Sequence, residues 1–409
     1  MTTKQTHAFA ATQTANTILG GRPDCPFMPV FGAPQVMFER GQGTQLWDVN
    51  GKRYLDFLCG IAVTSLGHSH PVIAAAIAHQ ANTLLHVSNF FANPVATQTA
   101  MMVDELISGS SGLASGAGQV FFCNSGAEAN EAGIKLARKF GGRGKHVVVS
   151  ALGSFHGRTL AALAATGQPE KHEPFAPMPE GFRHVVFNDI KSLEASLDNS
   201  VAAILLETVQ GEGGVIPASN EYLQAVRKIC TERGILMMID EVQTGFARTG
   251  KWFGFQHAEI EPDVVMLAKA MGNGMPIGAL WARREIAAVF KPSDHGSTFS
   301  GTAIATAAAR ATIQLMLDMD APTVATLRGQ ELSEKLRSVN GVVEVRGRGL
   351  LLAAELRADL DAKSVATQLL EHGLVVNGVT SHALRFAPPL TVSSAEIDEA
   401  IAIIKQVLK

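Results

Sequence analysis

Lys269 and Asp240 each end a run of apolar residues that is typical of a buried strand. The runs are "DVVMLAK" (263–269) and "GILMMID" (234–240). A lysine in this position either extends to the surface or is buried, and burial lowers its pKa and makes it a nucleophile suited to Schiff-base chemistry. Because an unpaired buried carboxylate is costly, Asp240 and its neighbour Glu241 either reach solvent or one of them has a cationic partner.

Two further apolar runs are also followed directly by polar residues. After "GQVFFC" (118–123), Ser125, Gly126 and Ala127 open a helical pattern. The free N–H groups and the dipole of a helix start favour a phosphate, although a glycine there is also typical of a tight turn. After "KHVVVS" (145–150), Phe155 is either core filling or a platform for a flat ligand, and Arg158 is either a surface charge or the holder of a carboxylate.

A third polar group follows "AAILLE" (202–207) and contains Glu207, Gln210 and Glu212. A phosphate cradle, a stacking ring, an acid on one strand and a lysine on the next together match the requirements of pyridoxal phosphate. The cradle would hold the phosphate, Lys269 would bind the aldehyde, and Asp240 would pair with the protonated ring nitrogen so that the ring accepts electrons. The sequence therefore predicts a pyridoxal phosphate site, in which the cation facing Asp240 is the pyridinium.

These residues need a framework that brings them to one place. The five apolar runs are continuous, as in buried parallel strands, and alternate with helical patterns. Between the runs at 118–123 and 145–150, the segment 127–140 has apolar residues at helical spacing. We expect these residues to face the sheet: Ala129, Ala132, Gly133, Leu136, Ala137 and Phe140. The pattern predicts an α/β fold with a mostly parallel sheet covered by helices and with ligands at the carboxyl ends of the strands.

The two ends of the chain have different patterns. Asn50-Gly51 is a hairpin signal among short N-terminal strands, and the Ala-rich segment 301–319 predicts a helix that leads into the last part of the chain. Ser393 and Glu396 form a capping box that begins the final helix. We expect three segments: an N-terminal part of a small domain (1–75), a large cofactor-binding α/β domain (76–305) and the C-terminal part of the small α+β domain (306–409).

Composition narrows the class of protein. The 409 residues have a net charge of −3 and no blocks of Lys or Arg, so no footprint for nucleic acid or for a membrane surface is present. The apolar runs are shorter than the roughly 20 residues that span a bilayer. The four cysteines lie far apart, which predicts neither a metal site nor a disulfide framework, and the Thr- and Gln-rich first twenty residues do not resemble a signal peptide. We expect a cytoplasmic protein.

Several motifs together resemble the subgroup III, or ω-type, pyridoxal phosphate aminotransferases of fold type I. "IDEVQTGFARTG" and "AKAMGNGMPIGA" are highly specific, and the motifs occur in the family's order from about residue 31 to residue 389. Within the family, the likeness is greatest to members that act on N2-acetyl-L-ornithine, through "GIAVTSLGHSHP", "HVSNFF", "FFCNSGAEANEAGIKLAR", "SFHGRTLAALAATGQ" and "LRFAPPL". The resemblance implies the fold-type I architecture, in which both ends of the chain build the small domain.

The resemblance also implies how the cofactor is held. Lys269 would carry it and move the proton, and Asp240 would pair with the ring nitrogen. The other implied contacts are the phosphate with Ser125, Gly126 and Ala127, the two ring faces with Phe155 and Val242, and the phenolic oxygen with Gln243. In this family the Thr of "HGSTF", here Thr298, reaches the phosphate of the neighbouring subunit, with Ser297 beside it near the substrate, which implies a homodimer with shared active sites.

Two arginines imply how two substrates share one pocket. By resemblance, Arg158 binds the α-carboxylate of the acylated ornithine or the side-chain carboxylate of glutamate, and Arg385 binds the α-carboxylate of glutamate. Glu212 would neutralise Arg385 when the substrate brings no carboxylate to it; the alternative is a purely structural ion pair. The implied reaction converts N2-acetyl-L-ornithine and 2-oxoglutarate to N-acetyl-L-glutamate 5-semialdehyde and L-glutamate, a step of arginine biosynthesis.

Three positions depart from the family or bear on the substrate. Thr208 stands where the family usually has Pro, Phe31 stands where relatives commonly have Tyr, and Ile61 replaces an aromatic residue typical of ornithine aminotransferases. The last favours the acylated substrate. The alternative within the family is another ω-amine donor: ornithine, succinylornithine, 4-aminobutyrate or lysine. A dinucleotide- or nucleotide-binding protein is a different alternative, but the sequence has neither G-x-G-x-x-G nor G-x-x-x-x-G-K-[ST]. A catalytically silent cofactor-binding protein would share the site without turning over an amine.

Overall fold

The computed structural model describes residue 28, residues 30–31 and residues 34–409, so the predictions for the first twenty residues and for Cys25 lie outside the described residues. The strands, in chain order, are β1 (Phe38–Gln42), β2 (Gln45–Asp48), β3 (Arg53–Asp56), β4 (Gly118–Cys123), β5 (Val147–Ala151), β6 (Phe182–Val185), β7 (Val201–Glu207), β8 (Val209–Gln210), β9 (Ile216–Pro217), β10 (Leu236–Asp240), β11 (Val264–Leu267), β12 (Gly278–Arg283), β13 (Val342–Arg348), β14 (Leu351–Leu356), β15 (Leu374–Val375), β16 (Asn377–Gly378) and β17 (Ala383–Phe386).

Helices lie between most of these strands. In chain order they are α1 (Pro71–Ala81), α2 (Pro94–Ser110), α3 (Gly126–Gly141), α4 (Leu160–Ala165), α5 (Ile190–Ala195), α6 (Asn220–Arg233), α7 (Arg284–Ala287), α8 (Ala303–Asp318), α9 (Ala321–Arg337), α10 (Ala362–Glu371) and α11 (Ser394–Val407). Short 3-10 turns lie at Pro169–Lys171, Glu173–Phe175, Gly254–Ala258 and Lys269–Gly272. A further helical turn, Cys59–Ala62, has positive φ at all four residues.

The largest sheet in the described part of the chain has seven strands in the order β4-β12-β11-β10-β7-β5-β6. All neighbours are parallel except β12, which runs antiparallel to β4 and β11. β5, β7, β10 and β11 are buried along their whole lengths because apolar residues cover both faces of the sheet, which explains why their sequences do not alternate. The predicted α/β fold with a mostly parallel sheet is confirmed.

Helix α3 packs on one face of this sheet. Ser125 caps its start by accepting a hydrogen bond from Glu128 N, and Gly133 allows a close approach, since a Cβ there would lie 3.2 Å from Met266 Sδ. The predicted inward face is buried at Ala129, but the prediction was wrong for Phe140, which is 39% exposed. Phe140 lies in the last turn of the helix and lines an open cavity with Gly234, Ile235 and Leu236 at the start of β10, so part of its ring stays in contact with solvent.

The described residues also form two four-stranded sheets, in the orders β1-β2-β3-β15 and β13-β14-β17-β16. The antiparallel β2-β3 pair confirms the predicted hairpin, and Gly51 in its loop has the positive φ of 81° that such a turn requires. β15 pairs in parallel with β3, so the two ends of the chain share a sheet. This pairing fits a small domain built from both termini, whereas the boundaries at residues 75 and 305 stay predictions.

Both helices predicted for the C-terminal region are present. The Ala-rich segment forms α8, and most of its alanines are buried. α11 begins after Ser393, whose side chain accepts a hydrogen bond from Glu396 N while the Glu396 carboxylate accepts one from Ser393 N. The predicted capping box is therefore confirmed.

A fully buried arginine joins segments that are distant in the sequence. Arg248 donates hydrogen bonds to Leu350 O at 3.1 Å, to Pro388 O at 2.6 Å and to Ser65 Oγ at 2.9 Å. Burial lowers its pKa to about 10. All three acceptors are uncharged. Arg248 therefore has a structural role, in which its hydrogen bonds hold the loop after β10 against the N-terminal and C-terminal segments of the chain.

Two smaller observations complete the fold. Cys59, Cys123 and Cys230 are buried free thiols. None of the helices in the described ranges has the length and apolar character needed to cross a bilayer.

Candidate active site

The carboxyl ends of three neighbouring strands bring the predicted acid and lysine together. Glu207 ends β7 and stands directly opposite Asp240, which ends β10. Lys269 follows the end of β11 by two residues, and β11 is the other neighbour of β10. Parallel strands have their carboxyl ends on the same side of the sheet, so three residues from three separate sequence segments meet at one site.

Lys269 is a buried amine rather than a surface lysine. Burial lowers its pKa to about 8, and the nearby Arg385 cation acts in the same direction. Glu212, Asp240 and Glu207 oppose this change, which places all of these charges within electrostatic range of the amine. Lys269 also has a left-handed backbone with φ of 47°, an unusual conformation for a residue other than glycine and a feature that concentrates at functional sites.

Asp240 is buried and is held by three donors. His156 Nδ1 lies 2.8 Å and Asn130 Nδ2 lies 2.9 Å from Oδ2, while Val242 N donates to Oδ1 at 3.0 Å. Because a carboxylate only accepts hydrogen bonds, His156 must carry its proton on Nδ1. The donors fix the orientation of the carboxylate at the end of β10.

The acids beside Asp240 are held separately from it. Glu241 accepts from Thr244 Oγ1 and from the backbone N–H groups of Gly254 and Phe255, and burial raises its pKa to about 7. Burial and the neighbouring Asp240 charge raise the pKa of Glu207 well above its ordinary value. Glu241 is thus bound to its own loop, and Asp240 is the acid that remains to meet a ligand cation.

The start of α3 forms a tight cradle. A Cβ on Gly126 would lie 2.7 Å from Val242 Cγ1, so only glycine allows the helix start to approach the residue after the β10 acids. Asn124 Nδ2 donates to Ser297 Oγ at 3.0 Å, which brings the "HGSTF" segment beside this cradle. Thr298 is exposed in the single chain.

The loop after β5 carries Phe155 and Arg158. Phe155 N donates to Glu207 Oε2 at 3.0 Å, which ties the loop to the end of β7. The Arg158 guanidinium lies 5.5 Å from the centre of the Phe155 ring and is exposed. The structure thus places the Phe155 ring and the exposed Arg158 cation next to the carboxyl ends of the strands.

Arg385 reaches the site from β17, a strand of another sheet. Its side chain is fully buried and donates from Nε to Asn377 Oδ1 at 3.1 Å, from Nη1 to Glu212 Oε1, and from Nη1 to Gln243 Oε1 at 3.3 Å. Burial raises the pKa of Glu212, but the charge and the hydrogen bond of Arg385, together with the nearby lysines, outweigh burial and hold that pKa below its ordinary value. Nη2 is buried and has no hydrogen-bond partner among the described residues, so it is the donor left for a ligand anion.

Comparison with known proteins places the chain in a family. The sequence profile of the class-III aminotransferases matches residues 30–408. The chain belongs to the class-III aminotransferases. It is 45% identical to an acetylornithine aminotransferase of Caldanaerobacter subterraneus subsp. tengcongensis, over 93% of this chain and 96% of the relative.

Solved structures of other aminotransferases share the fold of this class-III aminotransferase. An ornithine aminotransferase from Toxoplasma gondii, crystallized in the presence of oxidized glutathione and with partial occupancy of PLP at its active site, has a TM-score of 0.86 and 32% identity, covering 92% of this chain and 90% of that chain. The N-acetylornithine aminotransferase from Stenotrophomonas maltophilia has a TM-score of 0.79 and 33% identity, covering 91% of this chain and 95% of that chain. The predicted fold type and the predicted aminotransferase activity are confirmed.

Sequence reasoning gave no role to three residues that the site of this class-III aminotransferase uses. Asn130 and His156 hold Asp240, and Asn377 holds Arg385. Asn130 left a signal, because a polar residue on the sheet-facing side of α3 needs a partner. His156 and Asn377 lie on a loop and a two-residue strand, where no periodicity indicates what a side chain faces.

Two residues that bear on the substrate lie in unusual surroundings. Phe31 is 97% exposed in the single chain. Ile61 lies in the left-handed turn at Cys59–Ala62 with φ of 68°, a conformation that is costly for a β-branched residue. The turn is packed against the rest of the chain through Ala62, which lies in a cluster with Ala383 and Ala387 next to Arg385.

Proposed function

We propose that this chain transfers the δ-amino group of N2-acetyl-L-ornithine to 2-oxoglutarate, giving N-acetyl-L-glutamate 5-semialdehyde and L-glutamate. The proposal depends on one observation: Lys269, Asp240 and the Arg385–Glu212 pair lie close together at the carboxyl ends of the strands of the large sheet. The relatives named for acetylornithine and N-acetylornithine support the choice of donor. A product of this kind belongs to arginine biosynthesis.

The residues at the site fit pyridoxal phosphate. The Gly126 cradle is too tight for any side chain, Lys269 is a buried amine with a lowered pKa, and Asp240 is a buried carboxylate with fixed orientation. The cofactor would be held by the helix-start residues Ser125, Gly126 and Ala127, by Phe155 and Val242 at the ring faces, by Asp240 at the ring nitrogen, by Gln243 at the phenolic oxygen and by Lys269. When bound, it supplies an electron-withdrawing ring that stabilises negative charge on the carbon bearing the amine.

Lys269 serves as the base and the acid of the reaction. Its pKa of about 8 leaves roughly a tenth of the amine neutral at pH 7, far more than for an ordinary lysine, so Nζ can remove a proton from the δ-carbon of the donor. In the second half of the cycle, Nζ delivers a proton to the carbon that becomes the α-carbon of glutamate. Its buried surroundings exclude water from the path of the proton.

The Arg385–Glu212 pair solves the problem of two unlike substrates. With the acylated ornithine, Arg158 binds the α-carboxylate and Glu212 keeps the Arg385 charge satisfied. With 2-oxoglutarate, Arg158 binds the distal carboxylate, Glu212 rotates away, and Arg385 binds the α-carboxylate through its free Nη2. The buried but unpartnered Nη2 supports this role over a purely structural ion pair.

The protein works as a homodimer in this proposal, with Thr298 reaching the cofactor phosphate of the partner and Ser297 near the substrate. What supports the dimer is a set of large apolar side chains exposed around the segment that carries these residues: Leu85, Phe90, Phe91, Met101 and Phe299. Asn89 Nδ2 donates to Ser297 O at 3.1 Å and so connects the two segments that form this surface.

The proposed domains are a large one over 76–305 and a small one from 1–75 with 306–409. The cytoplasmic location stays a prediction.

Steady-state rates with 2-oxoglutarate and a panel of amine donors test the function. We expect N2-acetyl-L-ornithine to have a higher kcat/KM than succinylornithine, ornithine, 4-aminobutyrate or lysine. A preference for free ornithine would favour the second candidate, which the structural likeness to an ornithine aminotransferase supports. Purified protein should be yellow, and Lys269→Ala should lose the linkage that borohydride reduces; a yellow protein that turns over no donor would contradict the proposal.

A further inference from the structure

Asn377 and Arg385 form a cross-strand pair. They stand directly opposite each other on β16 and β17, so their side chains lie on the same face of the sheet. Asn377 Oδ1 accepts from Arg385 Nε at 3.1 Å. Because both residues belong to one sheet, this contact is fixed by the backbone hydrogen bonds of the strands.

The contact of Arg385 with Glu212 is of a different kind. Glu212 belongs to the glycine-rich loop after β8, and its side chain is 28% exposed, whereas that of Arg385 is fully buried. The backbone on either side of Glu212 is tightly packed, since a Cβ on Gly211 would lie 2.5 Å from Gln243 atoms and one on Gly213 would lie 2.8 Å from Gly153 O. The side chain of Glu212 is therefore the part that can rotate toward solvent.

When Glu212 rotates away, Arg385 loses its charged partner but stays buried. The remaining contacts are the Nε bond to Asn377 at 3.1 Å and the longer Nη1 contact with Gln243 at 3.3 Å. A guanidinium is planar, so the Nε bond to Asn377, with the weaker Nη1 contact to Gln243, fixes the plane in which the free Nη2 points. An amide oxygen is uncharged, so it orients Arg385 without neutralising the charge that an incoming carboxylate needs.

We propose that Asn377 is a positioning residue that fixes the plane of the Arg385 guanidinium for the carboxylate of the dicarboxylic substrate while Glu212 is turned away. This inference rests on the proposed function, because it assigns Arg385 to 2-oxoglutarate and glutamate. It makes Asn377 a determinant of the second half of the cycle and not of the first, in which Glu212 itself holds Arg385.

Two variants separate orientation from charge. Asn377→Leu keeps the approximate size and removes the acceptor, so Arg385 loses its fixed direction. Asn377→Asp keeps an acceptor but neutralises Arg385 permanently. Glutarate, the dicarboxylate that lacks the keto group of 2-oxoglutarate, serves as an unreactive inhibitor. With the holoenzyme, we expect the KM for 2-oxoglutarate and the inhibition constant of glutarate to rise about tenfold in the Leu variant, which corresponds to about 1.4 kcal/mol. Both constants should rise further in the Asp variant.

The amine half-reaction is the internal control. Its single-turnover rate with N2-acetyl-L-ornithine, followed by the absorbance of the cofactor, should stay within about threefold of wild type in the Leu variant, since the donor brings no carboxylate to Arg385. Asn340→Leu, an exposed site in the C-terminal part of the chain, is the matched control and should leave glutarate binding unchanged.

Three outcomes would overturn the inference: a parallel loss in both half-reactions with lower cofactor content or Tm, which indicates a merely structural role; unchanged glutarate inhibition in the Leu variant; or wild-type glutarate binding in the Asp variant. Failure of the proposed donor is a separate result. If wild type transfers the amino group of a different donor to 2-oxoglutarate, the glutarate measurements still decide the role of Asn377. If wild type binds no dicarboxylate, both proposals fall.

Discussion

Replacing Asp240 by Asn tests how the site holds its acid. The change preserves shape but puts an NH2 group where a carboxylate oxygen accepted hydrogen bonds. His156 and Asn130 donate to Oδ2, and Val242 N donates to Oδ1. The amide oxygen can face only one of these sides, and the arrangement that loses less turns the NH2 group toward Val242 N–H, leaving one buried donor unsatisfied.

The expected magnitudes follow from that contact set. One unsatisfied buried donor costs about 1–3 kcal/mol, so the free energy of unfolding of the cofactor-free protein should fall by that amount. Loss of a hydrogen bond between charged groups costs a further 1.5–3 kcal/mol or so at the ring nitrogen, which is roughly a 10- to 150-fold loss of rate before any loss of electron withdrawal is counted.

Urea unfolding of the cofactor-free protein and single-turnover rates of both half-reactions measure these two effects. Asp240→Glu is the control, because it keeps the charge and displaces it. The reasoning is refuted if Asp240→Asn, saturated with cofactor, retains both half-reaction rates within about threefold of wild type.

Three further outcomes are expected. Because burial lowers the pKa of Lys269 to about 8, half of the amine is neutral near that pH and nearly all of it about one pH unit higher, so covalent recapture of pyridoxal phosphate by cofactor-free protein should accelerate up to about pH 8 and level off by about pH 9. Acceleration that continues beyond about pH 10 would indicate an ordinary lysine. Gly126→Ala should weaken cofactor affinity because its Cβ would lie 2.7 Å from Val242 Cγ1, and Val242→Ala in the same chain should restore part of the loss as measured by equilibrium dialysis. Arg248→Met should lower the free energy of unfolding by about 1–3 kcal/mol because buried acceptors lose their donor, and Arg248→Lys should have an intermediate effect. Equal urea midpoints for wild type and both variants would contradict the structural role of Arg248.

The sequence predicted the elements better than the contacts between them. Buried parallel strands leave continuous apolar runs because both faces are covered, so the strands that end in Glu207 and Asp240 were predicted from these runs alone. The prediction for Phe140 failed because helical spacing says which side of a helix is apolar but not where the sheet beneath it ends. The left-handed turn that carries Ile61 has no periodic signal at all, since its conformation is imposed by packing.

Hydrogen bonds between side chains of different elements explain the rest of the difference. The sequence singled out Asp240, and the family resemblance supplied Arg385, but neither could show that Asn130 and Asn377 hold these side chains. The pairs are separated by 110 and 8 positions, and an asparagine gives no sign of which distant group its amide meets. Glu241 shows the same limit: it looked equivalent to its neighbour, but its carboxylate bonds the backbone of Gly254 and Phe255.

The pairing of β15 with β3 has a consequence for biosynthesis of the protein. The first sheet is completed by residues 374–375, so a nascent chain on the ribosome holds an unfinished N-terminal sheet until these residues have been made. The seven-stranded sheet is complete by residue 283 and is free to fold earlier. A product that terminates between residues 283 and 374 would therefore contain Lys269 and Asp240 but would lack both the closing strand and Arg385.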